Sequence, residues 1–353
     1  MKSLFWSNKN VLVTGHTGFK GSWLSLWLQY LGANVTGYSL ENELEKSLFS
    51  CSGLEENITS YIGDICNLKE LQQVFEESKP DIVFHLAAQS LVIEGYKSPL
   101  STYQTNVIGT ANVLECCRES DSVIAVVNVT SDKCYENFER REGYSEGDRL
   151  GGFDPYSNSK ACAELVASCY QNLYKNNTGH KDIRLASVRA GNVIGGGDWS
   201  NDRLIPDIIR HMFENKSLAI RNLGAVRPWQ HVIEPLSGYM AVAEKLFNQE
   251  NISQAYNFGP NHDGTSTVLA LIEMINKTSN KTVTYDTEKA VFHETGLLNL
   301  NSSLAKKELN WQPKWSILES LNNVLAWYEA FYSGQDMLKV SINQIQQFED
   351  WKN

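Results

Sequence analysis

The sequence predicts an α/β protein: a Rossmann-type doubly wound parallel sheet followed by a smaller C-terminal α/β lobe. Three observations predict it. Val11 to Thr14 reads as a short buried strand that runs into Gly15, Gly18 and Gly21, a G-x-x-G-x-x-G turn, and then at once into a helical stretch. Beyond it, short apolar runs alternate with helical ones as far as residue 189, the rhythm of right-handed βαβ units. The apolar runs end on small or polar residues, which such a sheet gathers at the one edge where ligands bind.

In the first helix Trp23, Leu24, Trp27, Leu28 and Leu31 recur with the 3.6-residue period, which predicts one apolar face. A glycine turn between strand and helix offers backbone N–H groups and a positive dipole end to a pyrophosphate. Glycine is needed there because a Cβ would block the ligand or the helix packing. The second strand, 34–38, is followed by Ser39, with no carboxylate until Glu41. An acidic residue near this strand end binds the adenosine ribose in dinucleotide folds, so its lateness leaves NAD and NADP both open. No arginine occurs before Arg118, and Lys20 or Lys46 would have to serve a 2′-phosphate. The expectation is NAD rather than NADP.

A third strand at 60–63 ends at Asp64 and Ile65, and a helix follows over 67–77. A fourth strand, 81–86, closes on Leu86 and runs into Ala87, Ala88 and Gln89, where small residues let a flat ring lie against the backbone. A long helix is expected over 99–118, carrying Asn106 and Gly109. The β-branched fifth strand, 123–129, ends on Thr130-Ser131-Asp132-Lys133. A helix opens at Pro155, where proline is tolerated in the first turn. The sixth strand, 184–189, feeds Ala190, Gly191 and Asn192. Gly15, Asp64, Ala87 and Ser131 would then meet at one edge.

Past residue 190 the rhythm breaks into short pieces. The expected division is a dinucleotide-binding domain over 1–190, a mainly substrate-binding lobe over 191–335, and a polar, loosely attached tail over 336–353. His16 reads as a loop residue, and Trp229 and His231 as packing residues. The formal charge of −10 over 353 residues argues against nucleic acid or an anionic membrane as the main partner. No run has the length of a signal peptide core or a bilayer span. The seven cysteines include no C-x-x-C pair, so reduced thiols are expected rather than a disulfide frame or a metal site. The class indicated is a soluble cytoplasmic enzyme.

Tyr156 and Lys160, four apart on one helix, share a face. A free tyrosine, with a pKa near ~10, is a poor base at neutral pH. A neighbouring ammonium and a positive nicotinamide ring both favour the phenolate. Lys160 can also hold the nicotinamide ribose, and Ser131 can hydrogen-bond a substrate hydroxyl.

The stretches Gly15 to Leu24, Thr130 to Asn137, Asp154 to Lys160, Arg189 to Trp199 and Arg227 to Val232 carry a resemblance that spans roughly residues 5–335. On them the chain resembles the extended short-chain dehydrogenase/reductases, the family of nucleotide-sugar epimerases and dehydratases. The resemblance implies a CDP-glucose substrate and a dehydration by internal redox. Tyr156 would take the proton of the 4-hydroxyl as hydride leaves C4, with Ser131 assisting and Lys160 tuning the phenol. The 4-ketone acidifies the C5 hydrogen, and its removal expels the 6-hydroxyl, which needs an acid at O6 and a base at C5. Asp132 falls to the acid role and Lys133 to the C5 role, where related dTDP-glucose enzymes carry an Asp-Glu pair. Hydride then returns to C6.

The same resemblance implies cofactor contacts from Gly15, Thr17, Gly18, Phe19, Gly21, Ser39, Asp64, Ile65, Leu86, Ala87, Ala88, Asn106, Tyr156 and Lys160. It implies substrate contacts from Gln89, Asn192, Arg203 and Arg227, the arginines answering a diphosphate. A homodimer through helices near 99–118 and 155–175 is implied as well, and a product used for dideoxy sugars of surface polysaccharide such as O-antigen. Two other readings stand beside it. A 4-epimerase or GDP-mannose-type dehydratase would use the same scaffold, but an epimerase needs no acid at O6, so Asp132-Lys133 counts against it. A non-catalytic dinucleotide sensor would typically lack the tyrosine or the lysine, and this chain has both.

Overall fold

A computed structural model describes residues 4–42, 44–175, 182–261, 264–288 and 296–351. Six strands, β1 (Asn10–Thr14), β2 (Asn34–Ser39), β3 (Thr59–Ile62), β4 (Ile82–His85), β5 (Ala125–Val129) and β6 (Arg184–Arg189), share one sheet with a seventh, Ala255–Asn257. The spatial order is seventh–β6–β5–β4–β1–β2–β3, and every pairing is parallel. The chain therefore builds outward from β1 on one side, then returns to build from β4 on the other. The two halves diverge at a switch point between β1 and β4, where a crevice must open. Val11 to Val13, Ile82 to Phe84 and Ala125 to Val127 are buried on both faces, which is why these strands read as unbroken apolar runs.

The glycine turn sits at that switch point. Gly15 takes a positive φ of 78°, and its N–H donates to Tyr38 O at 2.8 Å. A Cβ on it would lie 2.7 Å from Ala87 N, so only glycine lets β1 turn this close to the end of β4.

The helix Phe19–Tyr30 departs from the expectation of a single apolar face. Every residue from Gly21 to Leu28 is buried. The cause is the segment expected to be a loose tail, which instead forms the helix Met337–Glu349 and buries Met337, Ile345 and Phe348. Trp27 Nε1 donates to Glu349 Oε1 at 2.8 Å, and Phe348 meets the rings of Trp27 and Trp315 edge-on. Both sides of the first helix are thus covered, one of them by the end of the chain.

The long helix expected over 99–118 is present, but not uniform. An α-helical Pro99–Tyr103 widens into a π-helical Gln104–Gly109 and tightens again over Thr110–Glu119. Wider turns of this kind re-aim side chains, and here Asn106 faces the interior. Nor is the division at residue 190 sharp. The helix Ile233–Phe247 packs beneath β5 and β6, and Ala255–Asn257 extends the main sheet beside β6. Three short ladders make the smaller lobe: Val193–Ile194 with Gln230–His231, Val226–Pro228 with Thr265–Thr267, and Leu218–Ile220 with Tyr285–Thr287. Trp229 and His231 are buried packing residues, His231 lying against the rings of Trp23 and Trp315. His16 is a buried loop residue whose Nε2 pairs with Ser60 Oγ at 2.7 Å. All seven cysteines are free thiols. Among the described residues no helix is long and apolar enough to cross a membrane.

The docking of the last helix is testable. Phe348→Ala removes a buried ring from a well-packed site and is expected to destabilise the protein by about 3–5 kcal/mol, read by chemical denaturation. A loosely attached tail would leave the midpoint unchanged.

Candidate active site

The strand ends open onto a cavity of about 910 Å³, near the upper end of small-molecule sites. Of the residues singled out from the sequence, Gly15, Thr17, Gly18, Phe19, Gly21, Ser39, Asp64, Ile65, Leu86, Ala87, Ala88, Gln89, Ser131, Asp132, Lys133, Tyr156, Lys160, Asn192, Arg203 and Arg227 line it. Asn106 does not. Its carboxamide oxygen accepts from Gln89 N at 2.8 Å, and its nitrogen donates to Gln89 O at 3.0 Å and Ser159 Oγ at 2.8 Å. Its amide clamps Gln89 and Ser159 behind the cavity wall. Gln89 reaches the cavity, but its amide is engaged by Thr102 Oγ1 and Leu91 N.

At one end of the cavity lie Ser39, Glu41, Asn42 and Asp64. Thr17 Oγ1 pairs with Ser39 Oγ at 2.8 Å and donates to Leu40 O at 3.0 Å. Asn42 Nδ2 donates to Thr17 O at 2.7 Å, which ties the strand end to the glycine turn. Neither lysine considered for a 2′-phosphate serves here. Lys46 lies over the Trp199 ring, and Lys20 belongs to the opposite, reacting end. There it shares the field of Arg203, Asp132, Lys160 and Lys133, and burial brings its ammonium down to about 7. The sequence placed Lys20 only in the first turn of a helix, and nothing in its spacing marks which end of the cavity it faces.

The reacting end is built from three strand ends and one helix. Ser131, just past β5, donates through Oγ to Asp132 Oδ1 at 2.9 Å and accepts from Lys133 N at 3.2 Å. Lys133 Nζ lies 3.4 Å from the same Asp132 Oδ1. Asp132 is wholly buried, and Lys133 is partly open. The second carboxylate oxygen is pressed against Gly191, where a Cβ would come within 1.8 Å of it.

Tyr156 and Lys160 enter from the helix Pro155–Lys175. Burial pushes the Tyr156 phenol up to about 12; the Ser131 hydroxyl beside it works the other way, and Asp132 reinforces the rise. Burial thus opposes the lowering expected from Lys160 and a bound nicotinamide ring. Lys160 Nζ donates to Val129 O at 3.4 Å, and burial lowers its ammonium to about 8.

Asn192, Arg203 and Arg227 line the cavity as well, Arg203 within the field of Lys20 and Tyr156. Asn192 has a left-handed φ of 47°, and its Nδ2 is buried without a protein acceptor among the described residues. Arg203 donates to Asp198 Oδ2 at 3.0 Å and Ser90 Oγ at 2.8 Å. Arg227 Nη1 donates to Val226 O at 3.0 Å and Gly296 O at 3.1 Å. Amide donors and guanidinium groups lining one cavity suit an anionic oxygen-rich ligand.

Residues 12–324 match the family model described as GDP-mannose 4,6 dehydratase. The chain is 47% identical to a CDP-glucose 4,6-dehydratase of Salmonella typhimurium, over 98% of this chain and 97% of that one. It is 26% identical to a UDP-glucose 4-epimerase of Pisum sativum, covering 91% of this chain and 96% of that one. Among solved structures it superposes on a dTDP-glucose 4,6-dehydratase from Bacillus anthracis in complex with NAD. That match has a TM-score of 0.77 and 26% identity, over 94% of this chain and 99% of the other.

The close seating of Asp132 on Gly191 gives a prediction. Gly191→Ala forces a Cβ into the carboxylate, and overpacking of this kind costs about 1–3 kcal/mol. Asp132→Ala in the same chain removes the obstacle, so the two losses should fall well short of adding in a double-mutant cycle of denaturation. Strict additivity would separate the two residues.

Proposed function

The chain belongs to the GDP-mannose 4,6-dehydratase family, and on that premise we propose that it converts CDP-glucose to CDP-4-keto-6-deoxyglucose and water. The observation that carries this reading is the gathering of Ser131, Asp132, Lys133, Tyr156 and Lys160 on the same cavity as the glycine turn, in a chain 47% identical to an enzyme of that activity.

The cavity fits a dinucleotide. Gly15 leaves a backbone cradle that a Cβ would fill, and the N-terminus of the helix Phe19–Tyr30 follows at once. Gly15, Thr17, Gly18, Phe19 and Gly21 would hold the pyrophosphate. Ser39, Asp64 and Ile65 would hold the adenosine end, and Leu86, Ala87 and Ala88 the path toward Tyr156 and Lys160. Glu41 on the adenosine wall would accept from ribose hydroxyls and repel a 2′-phosphate, which favours NAD over NADP. When bound, NAD supplies the acceptor for the hydrogen at C4 and the donor that later reduces C6.

The chain's own groups do the rest. Tyr156 takes the proton of the 4-hydroxyl, and the Ser131 hydroxyl beside it holds that oxygen. The Lys160 cation, with the positive charge of the bound nicotinamide, offsets the rise that burial imposes on the phenol. Once C4 is a ketone, the C5 hydrogen is acidic. With the proton of the pair on the Asp132 carboxyl, Lys133, the more open of the two, takes the C5 proton as a free amine while Asp132 gives its own to O6 so that water leaves, which turns the pair into ammonium and carboxylate. The 3.4 Å contact between them offers a route for returning the proton. Asn192, whose Nδ2 meets no protein acceptor among the described residues, and Arg203 and Arg227 would meet the diphosphate.

The outer sides of the helices at 99–119 and 155–175 expose Leu100, Ile108, Leu165 and Leu173. Exposed apolar side chains on neighbouring helices support a homodimer assembled there. A cytoplasmic setting and supply of dideoxy sugars for surface polysaccharide accompany this reading.

Purified protein with NAD, offered CDP-glucose, dTDP-glucose, UDP-glucose and GDP-mannose separately, should remove one water from CDP-glucose alone, without net NADH. Mass spectrometry reads the outcome. An isomer at unchanged mass would replace the dehydratase with an epimerase, and no reaction in any tube would leave a dinucleotide-binding protein.

A further inference from the structure

Lys160 poses a problem that the mechanism leaves open. Its ammonium is buried, and its hydrogen bond to Val129 O at 3.4 Å is long. The groups that face it come from four elements. Lys20 approaches from the first turn of the helix Phe19–Tyr30, His85 from the end of β4, the Cys134 thiol from the turn after β5, and Glu164 from its own helix. His85 is neutral, its ring brought down to about 3 by burial. Burial keeps the Cys134 thiol protonated. Of these four groups Glu164 is the one held in an ion pair, with Arg189.

Glu164 is four residues beyond Lys160, on the same helical face, and is itself buried. Its Oε1 accepts from the Thr130 hydroxyl, the residue before Ser131. Arg189 grips it bidentately, Nε to Oε1 and Nη2 to Oε2, both at 2.8 Å. The other guanidinium nitrogen of Arg189 donates to Tyr135 OH at 2.6 Å and Glu146 O at 3.1 Å. Tyr135 OH in turn donates to Asn257 Oδ1 at 2.7 Å. One buried pair thus joins the helix of Tyr156 and Lys160, the turn of Ser131 to Lys133, and the strand that leads to Gly191 and Asn192. A buried ion pair is a poor stabiliser beside an apolar replacement, so stability alone gives little reason for it.

We propose that Glu164 and Arg189 are positioning residues for the reaction, locking the helix that carries Lys160 and the Ser131 turn into one frame and setting the charge that Lys160 presents to Tyr156. Glu164 favours the cation, while Arg189 limits that effect by sharing the carboxylate. The two members therefore act on Lys160 with opposite sign. This rests on the dehydratase reading above.

Activity that depends on the Lys160 cation is present below its pKa and lost as pH rises through it. Glu164→Gln keeps an acceptor for Thr130, removes the anion and leaves Arg189 positive, so the descending limb of kcat against pH should move down by about 1 unit or more. Arg189→Gln releases the carboxylate to Lys160, so the limb should move up. Arg189→Lys, which keeps the charge, should hold the parent position. The experiment is the kcat–pH profile of CDP-glucose dehydration by the full chain with NAD, with thermal melts of each variant. Limbs that stay in place, or move together while kcat falls, would overturn the proposal and leave a structural pair. If Glu164→Gln does not fold, the direction of the Arg189→Gln shift decides alone. An unmodified protein that does not dehydrate CDP-glucose would instead sink the functional reading.

Discussion

The backbone of Gly15 lies so close to Leu86 and Ala87 that no side chain fits between them, and the rest of the site follows from that approach. It lets β1 turn directly over the end of β4, at the point where the two halves of the sheet diverge. The crevice opened there runs along the edge of the sheet, and each strand delivers its last residues to it. β2 brings Ser39, β4 brings Leu86 and Ala87, β5 brings Ser131 to Lys133, and β6 brings Gly191 and Asn192. Groups far apart in the chain become neighbours because parallel strands all end on the same side. A bulkier residue at position 15 would part β1 from β4 and disturb both walls at once.

Burial then sets the chemistry. At the reacting end Lys20 and Lys160 are held near 7 and 8, and Tyr156 near 12. Each shift is dominated by removal from water, so each group resists its charged form until a partner favours it. Such a site is responsive to charged ligands: a diphosphate favours the ammonium groups, and a cationic ring favours the phenolate. Asp132 sits among these cations, wholly enclosed and seated on Gly191, so its geometry is fixed by backbone rather than by solvent.

Much of this was legible in the sequence because it is local. The glycine turn, the small residues after β4, the Ser131 turn and the spacing of Tyr156 from Lys160 are each contained in a few residues, and the parallel order of strands brings them together. What was not legible is tertiary. The Arg189–Glu164 pair joins residues 25 apart, and neither carries a local signal of its partner. Lys20 could face either end of the cavity until the helix was placed. Nothing in the sequence around Asn106 marks the π-helical turn or the clamp its amide makes on Gln89 and Ser159. The last helix could have been found, since Met337, Ser341, Ile345 and Phe348 recur at helical spacing, but its polar neighbours concealed that stripe. Once it docks, the all-round burial of the first helix is explained.

The central claim is that one active site oxidises C4, eliminates water and reduces C6 without releasing the hydrogen it removed. CDP-glucose carrying deuterium at C4 tests it most directly, with NMR of the product. Deuterium recovered at C6 of CDP-4-keto-6-deoxyglucose is the result the account predicts. Deuterium still at C4, or a product whose C6 carries only solvent hydrogen, would contradict it.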